Sequence, residues 1–272
     1  MSLLTNLDET FSHAEDLNAI DKLMSFVDPE LLQQAYELSG VATVRRRRLP
    51  LDSVVLTIVG MSLFRNDPVW DIANKLNVSL PGKNRFVAPS AVVQARQRLG
   101  DDAVGHVFKL MAQRAFTEYA FEQWCGLNVL AVDGVMFRAQ DTAENLDAFG
   151  CDRNAKGDNP YPQVRMCSLM ETSSHLLLAS EFDSRDVGEM SLAQRLVPSV
   201  PDNSLTLFDR GYYSLGLLYL WMTKGVNTHW MLPARKDLQY TVRHQLSEDD
   251  AVITLKTSPQ ARKKFDGLYQ LH

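Results

Sequence analysis

LNVLAVDGVMFR, residues 127–138, decides the fold class of this 272-residue chain. LNVLAV (127–132) is apolar and rich in β-formers, which suits a strand buried on both faces. Asp133-Gly134 ends that run and VMFRA resumes it. Downstream, QVRMCSLMETSSHLLLASEFDS (163–184) reads as two strands joined by a turn at Thr172-Ser173-Ser174. A helix over about 186–197 follows, then a short buried strand, LTLF (205–208), a helix over about 214–224, and a strand in HWMLPAR (229–235). Three strands, a helix, a strand, a helix and a strand make a mixed α/β order. Beyond it, YTVRHQL and AVITLK flank Ser247-Glu248-Asp249-Asp250 and read as a hairpin opening a further β-rich element. A basic, loop-like SPQARKKFDG comes after them.

Upstream the period is helical. Asp28-Pro29 suits an N-cap with proline at the first helical position, and Gly40 suits a stop. LPLDSVVLTIVGMSLF (49–64), VWDIANKLN (69–77), AVVQARQRLG (91–100) and a run from Asp101-Asp102 to about Tyr119 complete the series, with a Pro-Gly-Asn loop at 81–84. Short helices with arginines on one of them suit a helix-turn-helix-like bundle. The expected division is a helical domain over 1–120, an α/β domain over 121–236, and a β-rich element beginning at 237.

Apolar residues make up 45% and charged residues 22% of the chain, a soluble globular composition. No apolar run approaches the ~20 residues of a membrane span, and the acidic start is not a secretory signal. Cys125, Cys151 and Cys167 form no CxxC pair, so the expectation is three buried thiols in a reducing cytoplasm. Net charge is −5, which on its face opposes a nucleic-acid partner. The average conceals a split. Residues 1–40 carry eight acids and one base, whereas residues 41–100 carry ten bases and three acids. Because the local field matters to a phosphate backbone, the second segment is the candidate DNA-binding region. Arg45, Arg46, Arg47 and Arg48 are candidate phosphate contacts or a solvated loop. Arg96 is a further DNA-binding candidate, and Gln94, Gln97 and Arg98 are candidate groove readers, since glutamine suits adenine and arginine suits guanine. Arg96 and Arg98 lie about 200° apart around a helix, so both cannot face one groove squarely.

Asp133 and Asp209 each follow a strand hydrophobic enough to be central. Open α/β sheets place ligand chemistry at such strand ends. On neighbouring strands the two carboxylates would meet, and a hard divalent cation is the common way to neutralise them. Two such ions can stabilise the entering and leaving oxygens of a phosphoryl displacement. Plainer readings stand beside this one: Asp133-Gly134 as a hairpin turn, and Asp209 as a cap or turn residue before the following helix.

From about Asp28 onward the chain resembles transposases of the insertion-sequence-four family. The likeness is carried by RRRRLPLDSVV, FVAPSAVVQARQRLG, WCGLNVLAVDGVMFR, NPYPQVRM, LTLFDRGYYSLGLL, HWMLP and LKTSPQARKK. It implies an N-terminal DNA-binding domain and an RNase H-like core whose DDE triad uses two divalent ions, Mg²⁺ or Mn²⁺. It also implies binding to double-stranded DNA at terminal inverted repeats, with self-association there, and strand cleavage and transfer. Asp133, in AVDG, matches the first triad aspartate, and Asp209, in FDRGYYS, the second. The family's glutamate lies in a Y-x2-R-x3-E-x6-K signature. Here Tyr240-x2-Arg243-x3 lands on Ser247, Glu248 is one place late, and Lys256 is out of register. The chain is therefore expected to stop within the β-rich insertion, to be catalytically incomplete, and to expose an apolar sheet face that makes it poorly soluble.

Arg210, beside Asp209, is read as a phosphate contact or a structural ion pair. At least one of Tyr212 and Tyr213, and all of Trp70, Trp124, Trp221 and Trp230, are expected in the core. Arg262, Lys263 and Lys264 suit backbone contact or a solvated end. His13, His106, His175, His229, His244 and His272 show no zinc-ligand spacing, and no P-loop or GxGxxG occurs. Two other readings remain: a DNA-binding protein without catalysis, and a nuclease that draws its third acid from Glu181 or Asp183.

Overall fold

A computed structural model describes residues 27–41, 51–75, 88–151, 153–154, 157–158, 161–257, 259 and 270–271. The chain divides into two compact units, 1–120 and 121–272.

The described part of the first unit is helical. Helix α1, Pro29–Leu38, starts where the Asp28 carboxylate accepts the Glu30 N–H and Pro29 takes a position with no donor to lose. Helices α2 (Leu51–Leu63), α3 (Val69–Lys75) and α4 (Pro89–Glu118) follow. Gly100, with φ of 76° and ψ of 171°, breaks α4 into two helical segments, as the glycine suggested from sequence. One core joins them. Leu31, Leu32, Ala35 and Tyr36 pack with Val54, Val55, Ile72, Val92, Ala95, Leu99, Ala103 and Val107. Val92, Ala95 and Leu99 recur at helical spacing, so the opposite face of α4 is left to solvent. The buried Tyr36 donates its hydroxyl to Asp52 at 3.0 Å, and burial raises the phenol well above its ordinary pKa. Arg45–Arg48 and the 81–84 loop lie outside the described residues.

The second unit is built on one mixed sheet. Its strands are β1 (Gln123–Trp124), β2 (Leu127–Arg138), β5 (Gln163–Glu171), β6 (Leu177–Ser184), β7 (Ser204–Phe208) and β8 (Thr228–Met231). The order is β6-β5-β2-β7-β8, and β1 pairs with β2. β6, β5 and β2 are antiparallel, whereas β2, β7 and β8 are parallel. Helix α6 (Glu189–Leu196) crosses over from β6 to β7 and packs on β5 and β6. Helix α7 (Leu215–Thr223) packs on β8 and touches α6. Trp221 is fully buried, sits edge-on to Phe208, and donates its indole N–H to Thr206. A separate antiparallel sheet holds β9 (Tyr240–Gln245), β10 (Ala251–Lys256) and β11 (Gln270–Leu271).

Four expectations are corrected. β2 runs unbroken through Asp133-Gly134, so these residues are not a turn. Pairing of β2 to β5 from Leu130 to Arg138 keeps the chain extended and overrides the local Asp-Gly preference. The polar stretch after residue 140 holds helix α5 (Ala143–Phe149), capped by Thr142, and a two-residue pair, β3 (Arg153–Asn154) with β4 (Gly157–Asp158). Trp124 is 56% exposed, because β1 is a short edge pairing rather than a core strand. Of the three cysteines only Cys167 is buried; Cys125 lies exposed in the tight turn into β2, and Cys151 is intermediate. Val135, Met136 and Phe137 of β2 and Phe182 of β6 are exposed. Among the described residues no helix is long and apolar enough to cross a membrane.

Candidate active site

The parallel ladder between β2 and β7 runs from Asn128 opposite Ser204 to Val132 opposite Phe208. Asp133 and Asp209 are the next residues of the two strands, and adjacent strands lie roughly 4.8 Å apart. The strand neighbourhood expected from sequence is therefore present. Asp133 differs from expectation in one respect: it stands within a strand, at the level where its neighbour β7 stops, and not at the strand's end.

Both carboxylates are exposed. Asp133 Oδ1 accepts the N–H of Gly134 at 2.8 Å. Asp209 Oδ1 accepts the N–H groups of Gly211 at 2.8 Å and Tyr212 at 3.3 Å, which caps a 3-10 turn over Arg210–Tyr212. Asp209 is thus a cap, but of this short turn; helix α7 is capped by Ser214, which accepts from Leu217. Each aspartate keeps a second oxygen, Oδ2, with no hydrogen bond among the described residues. Two exposed hard oxygen donors on neighbouring strands fit a divalent cation that completes its shell with water and phosphate oxygens. Among the described residues no group of three His, Cys, Asp or Glu side chains is arranged to hold a metal.

A third acid, without a motif in the sequence, touches Gly134 next to the first aspartate and Tyr212, which donates to the second. Glu189 opens α6, where the positive end of the helix dipole suits a carboxylate. Its carboxyl group lies against Gly134: a Cβ added there would stand 1.7 Å from Glu189 Oε1. The Tyr212 hydroxyl donates to the same oxygen at 2.7 Å. Tyr212 is buried, packs on Phe208, and has the Cys167 thiol 3.5 Å from its hydroxyl. Burial pushes the Cys167 thiol up to about 11; Tyr212 opposes the shift, while the charges of Glu189 and Asp133 add to it. Burial likewise holds Tyr212 firmly as the phenol, with Cys167 and Glu189 reinforcing it. The available signals were an acid in the first turn after a glycine cap position, and a glycine directly after Asp133.

Arg210 is exposed, and Tyr213 carries the Arg235 guanidinium 5.6 Å above its ring. Glu181 and Asp183 lie on β6, with β5 between them and β2. Asp183 is ion-paired with Arg195 at 2.7 Å, which lowers its pKa. Glu248 sits in the turn between β9 and β10, where Leu246 and Ser247 both donate to the Asp250 carbonyl. In the helical unit, Gln94, Arg96, Gln97 and Arg98 are all exposed. Arg96 approaches the Met61 sulfur at 3.9 Å.

Comparison with known proteins bears on both units. Residues 17–109 match the family described as insertion element 4 transposase N-terminal, and residues 124–272 match the transposase DDE domain. The chain is 48% identical, over 251 residues, to "Transposase InsG for insertion sequence element IS4" of Escherichia coli (strain K12). That alignment covers 92% of this chain and 57% of the relative, so the chain spans little more than half of that protein's length. It is also 40% identical over 213 residues to "Putative transposase InsZ" of the same organism, covering 77% of this chain and 70% of that one. With both domain types in order and these identities, the chain belongs to the IS4 family of transposases.

Proposed function

We propose that this chain binds double-stranded DNA through its helical unit and carries, on an RNase H-like sheet, the two aspartates of a DDE centre for strand cleavage and transfer. The observation that carries the reading is the placement of Asp133 and Asp209 one step beyond the last parallel pair of adjacent central strands. Asp133 and Asp209 would hold Mg²⁺ or Mn²⁺. Bound there, such ions supply Lewis-acid stabilisation of the charge that develops in phosphodiester cleavage. The chain's own contribution is to hold two exposed carboxylates on neighbouring backbones, each with one oxygen uncommitted to a hydrogen bond among the described residues. Arg210, exposed next to Asp209, would meet a phosphate. Exposed Gln94, Gln97 and Arg98 would supply the groove-reading side chains, with Arg96 a further DNA contact and Arg45–Arg48 the phosphate contacts. The DNA partner is the pair of terminal inverted repeats of the element, on which the protein self-associates.

A second reading concerns the polypeptide of residues 1–272 by itself. The register that should deliver a catalytic glutamate falls on Ser247, in a hairpin turn instead of a helix. This polypeptide is therefore proposed to bind element ends without cutting them. A gel-shift titration with terminal-repeat DNA, run beside a Mg²⁺ or Mn²⁺ cleavage assay on the same DNA, tests both readings. A specific shift without nicking is the expected result. Failure to prefer the repeats over unrelated DNA refutes the binding reading, and nicking abolished by Asp133→Asn refutes the second.

A further inference from the structure

We infer that Glu189 is a positioning residue for Asp133 and Asp209, a strut whose one carboxyl group sets the spacing of both; this rests on reading those aspartates as the metal-holding pair. Glu189 touches the residue after the first aspartate and the residue that holds the second. On one side its carboxyl group lies on the Cα of Gly134, so closely that a Cβ there would meet Oε1, Cδ and Cγ at 1.7, 2.6 and 3.1 Å. On the other side Oε1 accepts the Tyr212 hydroxyl at 2.7 Å, and the backbone N–H of Tyr212 donates to Asp209 Oδ1. Tyr212 cannot drift: its ring is buried against Phe208, the last paired residue of β7. Gly134 is fixed in turn by its register with Cys167, whose thiol faces the same hydroxyl. The parallel ladder ends one residue before either aspartate, so no strand pairing between β2 and β7 fixes their separation. Glu189 links the Gly134 backbone to the Tyr212 side chain just beyond the end of that ladder.

The glycine at 134 follows from this arrangement. Any side chain there displaces the Glu189 carboxyl group, so the Asp-Gly pair is a close-approach device within a strand. The role belongs to an acceptor of the right length, so glutamine fills it and alanine does not.

Mn²⁺ titration of the 272-residue chain, with free Mn²⁺ read by electron paramagnetic resonance and metal-free melting temperature recorded for every variant, tests the inference. Asp133→Asn and Asp209→Asn are expected to abolish specific Mn²⁺ binding. Glu189→Ala and Tyr212→Phe are expected to weaken it about tenfold, the usual cost of losing a group that orients a metal ligand. Glu189→Gln, which keeps the acceptor, is expected to bind within about threefold of the parent. Gly134→Ala should weaken binding in the parent but add nothing in a Glu189→Ala background, since the displaced group is already gone. Parent-like Mn²⁺ affinity in Glu189→Ala, with the aspartate variants dead, overturns the strut and leaves the metal pair standing. So does a Glu189→Gln as weak as Glu189→Ala, or an undiminished Gly134→Ala effect in the double variant. If the aspartate variants themselves bind Mn²⁺ normally, the metal-pair reading fails, and the strut loses its object with it.

Discussion

Glu171 and Asp133 are acids on paired strands of one sheet, and they are treated in opposite ways. Glu171, at the end of β5, is fully buried and accepts hydrogen bonds from the backbone N–H and hydroxyl of both Ser173 and Ser174. Its charge is spent locally, closing the turn between β5 and β6. Asp133, on β2, is exposed and takes one hydrogen bond from its own neighbour. A carboxylate saturated by donors organises the fold, whereas one left with free lone pairs has capacity for a ligand. Asp209 stands between the two: one oxygen caps a turn and the other is uncommitted.

Truncating Glu171 should separate the pair most sharply. Glu171→Ala leaves four buried or half-buried donors without an acceptor and is expected to cost about 3 kcal/mol in urea unfolding. A cost near zero would break the contrast. The thiols offer a second version of it, burial against exposure. With Cys167 at about 11, its thiolate at pH 8 should be roughly 100-fold scarcer than that of an ordinary thiol, so iodoacetamide should label Cys125 and spare Cys167. The sign follows for stability too. A folded-state value above the ordinary 9.0 means its contribution is intact below pH 9 and is lost as pH rises towards 11. Asp209→Ala, which in the metal-free chain removes a turn cap, is expected to cost about 1 kcal/mol in the same unfolding measurement. Asp133→Asn closes the series. A change within about 0.5 kcal/mol in the same unfolding measurement, alongside loss of Mn²⁺ binding, would mark it as a residue kept for its ligand.

The strands were legible where burial speaks through composition. LNVLAV, LTLF and the pair over 163–184 are continuous or alternating apolar runs, and each became a strand of the main sheet. The break at Gly100 was legible because glycine at a helix end has a local cause. Asp133-Gly134 was ambiguous because the same dipeptide serves a turn and a close approach, and the deciding partner, Glu189, is supplied from 55 positions away. The exposure of Trp124 was hidden for a similar reason: nothing local tells a two-residue edge pairing from a core strand. Glu189 itself carries no motif. Its meaning arises only when α6 is laid across the sheet and its first turn meets a position of β2 and the turn after β7 at once.

β2 has antiparallel company on one side and parallel company on the other, and this sets the order in which the site can be assembled. β5 and β6 are joined by a short turn and β2 lies not far upstream, so these three can associate by closing modest loops. β7 must return across a helix to lie beside β2, pairing Asn128 with Ser204, and that longer closure is kinetically the more demanding. The first aspartate thus waits on a half-built sheet until the second is delivered. On the proposed reading of the two aspartates, a partly folded chain would hold one carboxylate without its mate, and metal binding would wait on the long-range closure that brings β7 beside β2.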